Sequence, residues 1–240
     1  MTQNLTILQL YPKELNVYGD NGNLLALIRR LEWRGISYDI IRHNTGDTLP
    51  TSVDIIIAGG GQDSNQSKIE ANFKLITNQL KAWVESGVPT LLICGSYQLF
   101  GRYFETSSGQ KIAGAGILNL YTKAGNSRMI GNLLINSPFF GEIVGYENHS
   151  GNTYLGDGLE PLGQVIRGAG NNETDGQEGV FYKNLIGTYC HGPVLPKNPK
   201  LADFLITKAL HNKYGIHTVL TSLDDRIEQA AHDQAASRPR

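Results

Sequence analysis

The sequence predicts an α/β fold: a doubly wound, mostly parallel sheet flanked by helices, with extra strands in the second half. Three observations carry this. Strand-like and helix-like segments alternate through the first half of the chain. Two strand candidates there, VDIIIA (53–58) and PTLLIC (89–94), are continuous apolar runs, as parallel strands covered on both faces must be. The second half is glycine-rich, and its short apolar runs are bounded by turn residues.

The elements follow in order. LTILQLY (5–11) reads as the first strand. Leu24, Leu27, Ile28 and Leu31 then recur at helical spacing. ISYDIIR (36–42) alternates and is β-branched, hence a strand. GGGQD follows the buried run that ends at Ala58. Ile69, Phe73, Ile76, Leu80 and Trp83 form a second helical stripe, closed by Gly87 before Pro89. PTLLIC leads into SYQLFGRYF, read as a helix. GILNLY, MIGNLLI, EIVGYEN, GQVIRG, GVFYKN and LIGTYCH are strand candidates, and GAGNNETDGQEG (168–179) a surface loop. A helical stripe returns between Asn198 and Asn212. One domain over 1–220 is expected. The polar remainder, 221–240, reads as a weakly packed helix or a disordered tail.

Composition narrows the function. The 240 residues carry 21 Lys plus Arg against 22 Asp plus Glu, a net charge of −1. Nothing in that balance favours nucleic acid or an anionic membrane as partner. MTQNLTILQL has no basic segment followed by a long apolar run, so no signal peptide is expected. No window reaches the roughly 20 apolar residues of a membrane span, and a cytoplasmic location is expected. The two cysteines, Cys94 and Cys190, are far apart in the chain and read as free thiols. Without a CxxC or HxxxH cluster no metal site is expected.

In sheets of this kind ligands bind at the carboxyl ends of the strands. Cys94 lies at such an end, between a buried strand and a helix start. A sharp turn there would lift the thiol out of the sheet, and the helix N-terminus would favour the thiolate. Gly95 would offer a backbone N–H to an oxyanion. The competing reading makes Cys94 a small buried apolar residue that ends a strand. Both readings stand on pattern alone.

A cysteine nucleophile needs a base. Among His43, His149, His191, His211, His217 and His232, the best placed is His191, which ends LIGTYC before a segment that cannot continue a strand. His149, in GYENHSGNTY, is second. His43 reads as a solvated strand end, and the last three as exposed. The glycines of GGGQD, Gly60 among them, could turn N–H groups toward an anion or form a plain tight turn. Neither a Walker loop nor GxGxxG after the first strand is present, so no nucleotide site of the chain's own is expected. Cys190 points away from His191 if both lie on a strand, and reads as core.

Several segments agree on a resemblance. ICGSYQLFG resembles the nucleophile region of class I glutamine amidotransferases, in particular the cobyric-acid-synthase-like group. GYENHSGNTY and YCHGPVLPKNPKLAD resemble that group's later motifs. LYPKELNVYGDNGNLLAL and GGGQD are similar to the stand-alone glutaminase subunits of lipid II isoglutaminyl synthases. Together these cover roughly residues 5–212.

The resemblance implies hydrolysis of L-glutamine to glutamate and ammonia. It implies transfer of the ammonia to a Mur-ligase-like synthetase partner that amidates the D-glutamate α-carboxyl of the lipid II stem peptide. ATP and Mg would sit on that partner, with no cofactor in this chain. Carried over by residue, Cys94 is the nucleophile and His191 the base. Gly60 and Gly95 are oxyanion donors. Gln98, Arg128 and His149 contact substrate. An arginine at 128 suits a carboxylate held bidentately; read alone, it is a solvated loop cation. The alternatives are a detached amidotransferase for cobyric or cobyrinic acid amidation, and a non-catalytic module on the same scaffold. One departure stands out. Many class I enzymes carry HxE, but here the run is His191-Gly192-Pro193. The group that orients the base is then expected from the partner, or from a distant residue.

Overall fold

The computed structural model describes residues 3–16, 19–61, 63–215 and 219–240, the side chains of 63–68 excepted. Tyr18 and Gln62 of the quoted motifs, and His217, lie outside the described residues.

The chain runs β1 (Asn4–Leu10), α1 (Asn21–Glu32), β2 (Ser37–His43), β3 (Ile55–Ala58), α2 (Asp63–Glu85), β4 (Thr90–Ile93) and α3 (Gly95–Leu99). It continues through β5 (Tyr103–Glu105), β6 (Lys111–Ala113), β7 (Leu120–Ser137), β8 (Gly141–Leu155) and β9 (Gly163–Arg167). Then come β10 (Gln177–Glu178), β11 (Val180–Tyr182), β12 (Leu185–Thr188), α4 (Pro199–Tyr214) and α5 (Arg226–Ser237).

The first sheet has the order β11-β12-β4-β3-β1-β2, parallel except for β11 at its edge. The apolar runs at β3 and β4 are buried at every position, because helices cover both faces. The stripe read along α2 faces this sheet: Ile69, Phe73, Ile76, Leu80 and Trp83 are all buried. The second sheet is built on β7, an 18-residue strand paired with β8 along most of its length, with β5 and β9 on its other side.

Two expectations change. The helix after Cys94 ends at Leu99, and Tyr103–Glu105 is a strand. Gly101 lies between them, close against Leu120, and Arg102 N–H then donates to the Leu120 carbonyl at 2.8 Å, which takes the chain out of the helix toward the second sheet. His43 is fully buried rather than solvated, edge-on to Tyr11, with Nε2 3.3 Å from Asn72 Oδ1. His232 is also buried, its Nδ1 2.9 Å from the Lys197 carbonyl.

The polar C-terminal stretch is helical and docked. Arg30, itself buried, reaches Asp203 at 2.7 Å and Asp225 at 2.6 Å, joining α1 to α4 and to the start of α5. Arg167 donates to the Ala236 carbonyl at 2.7 Å, and Arg240 lies 3.2 Å from the buried Glu147. Among the described residues no helix is long and apolar enough to cross a membrane.

Candidate active site

Cys94 follows β4 with φ 50 and ψ −103, a conformation non-glycine residues rarely adopt. Surrounding structure must hold such strain in place, and it collects at functional sites. Two ties hold it here. The Cys94 N–H donates to the Thr188 carbonyl at 2.8 Å, fixing the turn to β12. Ser96 Oγ accepts from Ile93 N–H at 2.9 Å and donates to the Ala58 carbonyl at the same distance, fixing it to β3. The turn presents the thiol at the carboxyl edge of the sheet. Cys94 is 6 % exposed.

His191 comes to the same place just beyond β12. Its N–H donates to the Tyr146 carbonyl at 2.8 Å, and Tyr146 N–H donates to the His191 carbonyl at 3.2 Å. β8 can approach this closely because residue 145 is glycine: a Cβ there would stand 2.5 Å from Cys190 Cβ. Gly192, at φ 78, then turns the chain, and Pro193 packs on Gly22 of α1. Asn23 Oδ1 accepts from Leu195 N–H at 3.0 Å. The first turn of α1 is thereby fastened beside the imidazole.

That contact delivers a residue the sequence reading missed. Asp20 occupies the N-cap position of α1 but makes no capping hydrogen bond. Its carboxylate is turned inward and buried. Oδ1 lies 3.6 Å from His191 Nδ1, and Oδ2 accepts from Gly60 N–H at 2.7 Å. The carboxylate beside the base is thus present within the chain, on α1 instead of two positions after the histidine. An Asp before a helix ordinarily reads as a cap, so nothing local marked it.

Gly60 sits over the Cys–His pair. A Cβ on it would stand 2.7 Å from His191 Cε1 and 3.3 Å from Cys94 Cβ. Its N–H, expected to face an oxyanion, donates to Asp20 in this structure. Gly95 opens α3 immediately after the thiol.

Burial alone would push the His191 imidazolium down. The charges of Cys94 and Asp20 outweigh it and hold His191 up at about 10. His149 is driven the other way. Burial, with His191 and Arg128 nearby, pushes it down to about 3. It is therefore a neutral ring. Its Nδ1 lies 2.9 Å from the Gly151 carbonyl, which can only accept, so Nδ1 carries the proton. Among the described residues Nε2 is left as a buried acceptor with no hydrogen-bond partner. The ring stacks on Tyr189, centroids 3.6 Å apart and 7° from parallel. Tyr189 Oη accepts from Gln98 Nε2 at 3.0 Å and lies 2.6 Å from Thr153 Oγ1.

The structure therefore brings Cys94, His191, His149, Gln98, Gly60 and Gly95 into one neighbourhood and adds Asp20. Arg128 is exposed on the irregular stretch of β7, its Nε donating to Asn148 Oδ1 at 2.6 Å, one residue from His149. Cys190 is fully buried, its thiol pushed up by burial. Among the described residues no group of three or more His, Cys, Asp and Glu is placed to hold a metal ion.

A thiol on a strained strand-to-helix turn, beside a histidine just beyond the neighbouring strand of a doubly wound sheet, is an arrangement suited to nucleophilic cysteine chemistry. Residues 6–199 match the CobB/CobQ-like glutamine amidotransferase domain, and the chain belongs to that family. It is a glutamine amidotransferase.

Two relatives are 41% identical and carry the name lipid II isoglutaminyl synthase (glutamine-hydrolyzing) subunit GatD. The one from Staphylococcus aureus aligns over 93% of this chain and 91% of its own length. The one from Streptococcus pneumoniae aligns over 94% and 88%. A probable cobyric acid synthase from Methanothermobacter thermautotrophicus is 32% identical over 62% of this chain and 32% of its own. The structure of PurLQS from Thermotoga maritima shares the fold at TM-score 0.52 and 16% identity, covering 86% of this chain and 98% of that one.

Proposed function

We propose that the chain is the glutaminase subunit of a lipid II isoglutaminyl synthase. It hydrolyses L-glutamine through Cys94 and His191 and passes ammonia to a Mur-ligase-like synthetase subunit. That partner, with ATP and Mg, amidates the D-glutamate α-carboxyl of the peptidoglycan stem peptide. Identity of 41% over nine-tenths of the length of two such subunits supports this reading. The partial alignment with the cobyric acid synthase weighs against cobyric acid amidation.

The observation that carries the chemistry is the strained Cys94 beside His191, with both side chains withdrawn from bulk water. The Cys94 sulfur attacks the side-chain amide carbon of glutamine, forming a C–S bond. As the C–N bond breaks, His191 gives its proton to the leaving nitrogen and ammonia departs. Water then attacks the glutamyl thioester, His191 takes a proton from it, and the C–S bond breaks to release glutamate. Gly95 N–H is assigned to the oxyanion. Arg128 is assigned to the substrate carboxylate, and Gln98 and His149 to its remaining polar groups. Withdrawal from bulk water would keep ammonia from being lost as ammonium. The location would be the cytoplasm, with the chain in a heterodimer.

The test is glutamate release by the chain alone and with the co-expressed synthetase subunit, in the parent and in Cys94→Ala. Release by the parent and none by the variant is expected. Equal release by both would overturn the assignment.

A further inference from the structure

We infer that Glu178, a buried carboxyl that the reaction itself does not use, is a positioning residue: it clamps Thr188 and Tyr189 so that Cys94 and His191 hang from one fixed piece of chain. This rests on the glutaminase reading above. Glu178 acts on the backbone beneath the pair, not on the reacting atoms.

The hydrogen bonds carry it. Glu178 is fully buried. Its Oε1 accepts twice, from Thr188 Oγ1 at 2.6 Å and from Tyr189 N–H at 2.7 Å. Two donors from consecutive residues on one oxygen fix the direction in which the chain leaves β12. Thr188 passes that constraint on. Its carbonyl accepts from Cys94 N–H at 2.8 Å, and its Oγ1 accepts from Cys190 N–H at 3.0 Å. The strained thiol turn and the residue before His191 are therefore tied to the same threonine. The Tyr189 ring, set by the same clamp, is the one that stacks on His149.

The clamp is itself anchored. Glu178 ends β10 in the second sheet, and Gly179 carries the chain across to β11 in the first. Residue 179 has φ 63, and a Cβ on it would stand 2.4 Å from the Gly187 carbonyl oxygen, so only glycine makes this crossing. The Asn171 side chain brackets it, accepting from Gly179 N–H at 2.9 Å and donating to the Gly179 carbonyl at 3.0 Å. An apolar side chain at 178 would fill the space but leave two buried donors unpaired. A carboxamide would keep the accepting oxygen. Burial pushes the carboxyl up to about 7, so the amide is also a fair stand-in for the neutral acid.

The test compares Glu178→Met with Glu178→Gln in the full chain, with its synthetase subunit present. Per folded molecule, kcat for glutamate release should fall roughly 10- to 100-fold in Glu178→Met, the effect of about 1 Å of misplacement in a catalytic constellation. Glu178→Gln should stay within about threefold of the parent. The rate at which iodoacetamide modifies Cys94, read by peptide mapping without glutamine, should fall in the same order, because a displaced sulfur loses its imidazolium partner. Thr188→Val is isosteric and removes both the donor to Glu178 and the acceptor of Cys190 N–H. Its kcat should fall about tenfold.

Parent-like kcat and parent-like Cys94 reactivity in folded Glu178→Met would overturn the inference. Equal losses in the methionine and glutamine variants would do so too, since the shared oxygen would then not be the cause. If Glu178→Met does not fold, Thr188→Val decides, and an unchanged kcat there overturns the clamp. If the parent releases no glutamate, the glutaminase reading fails, and the iodoacetamide contrast alone decides the clamp. If the parent is active and the variants match it, this inference alone fails.

Discussion

Tyr146 and His191 exchange backbone hydrogen bonds in both directions, at 2.8 and 3.2 Å, and this bridge joins the second sheet to the carboxyl edge of the first. The histidine is therefore held by β12 behind it and β8 beside it. The bridge depends on Gly145 lying against Cys190.

Gly145→Ala tests that dependence. The added Cβ meets Cys190 Cβ at 2.5 Å, and the segment of Cys190, just beyond β12, is tied to β8 by the Tyr146–His191 bridge. Overpacking of this kind costs about 1–3 kcal/mol. Thermal unfolding should show the loss. Glutamate release per folded molecule should also drop, because β8 carries His191 away from Cys94 as it shifts.

Gly60→Ala probes the other side of the pair. Its Cβ would stand 2.7 Å from His191 Cε1 and 3.2 Å from Asp20 Oδ2. A misplacement of about 1 Å in a catalytic constellation can cost about 100-fold. A fall of that order in kcat, with little change in unfolding temperature, is expected from steady-state and thermal measurements.

His149→Phe keeps a ring to stack on Tyr189 but removes the buried Nε2 acceptor. If that nitrogen receives an N–H of the substrate, KM for glutamine should rise about 10- to 100-fold, the range for hydrogen bonds to charged donors. Because His149 is pushed down to about 3, its contribution should not change with pH across the neutral range.

Glu178 gives a pH signature in stability. Burial pushes it up to about 7, while its Oε1 accepts from Thr188 Oγ1 and Tyr189 N–H. The folded state thus holds this proton more tightly than the unfolded chain, whose carboxyl stays near 4.5. The stabilisation is fully present below the unfolded value and is lost as pH rises through about 7. The change is on the order of 3 kcal/mol. In Glu178→Gln, denaturant unfolding at mildly acid and mildly alkaline pH should give a flatter profile than in the parent. An equally steep profile would assign the slope to other groups.

Much of this molecule was legible in the sequence. The apolar runs at β3 and β4 and the stripe on α2 are long, unambiguous signals, and all lie where their periodicity puts them. Cys94 and His191 were legible as ends of strands. Asp20 was not, because its partner lies far along the chain and its position imitates a cap. His43 looked solvated because it ends a strand and His232 because it lies in the C-terminal tail, but Tyr11 packs on the first and the Lys197 carbonyl meets the second. The helix expected through Phe104 stops early for a tertiary reason, the hydrogen bond from Arg102 N–H to the Leu120 carbonyl at 2.8 Å. The docking of 221–240 rests on ion pairs of Arg30 and Arg240 with distant acids, which composition does not reveal.

The most direct measurement is intact-mass and peptide mapping after treatment with a diazoketone analogue of glutamine. One adduct per chain is predicted, on the peptide containing Cys94, with glutamate release lost in proportion to labelling. Labelling elsewhere, or undiminished labelling in Cys94→Ala, would contradict a glutaminase built on that sulfur.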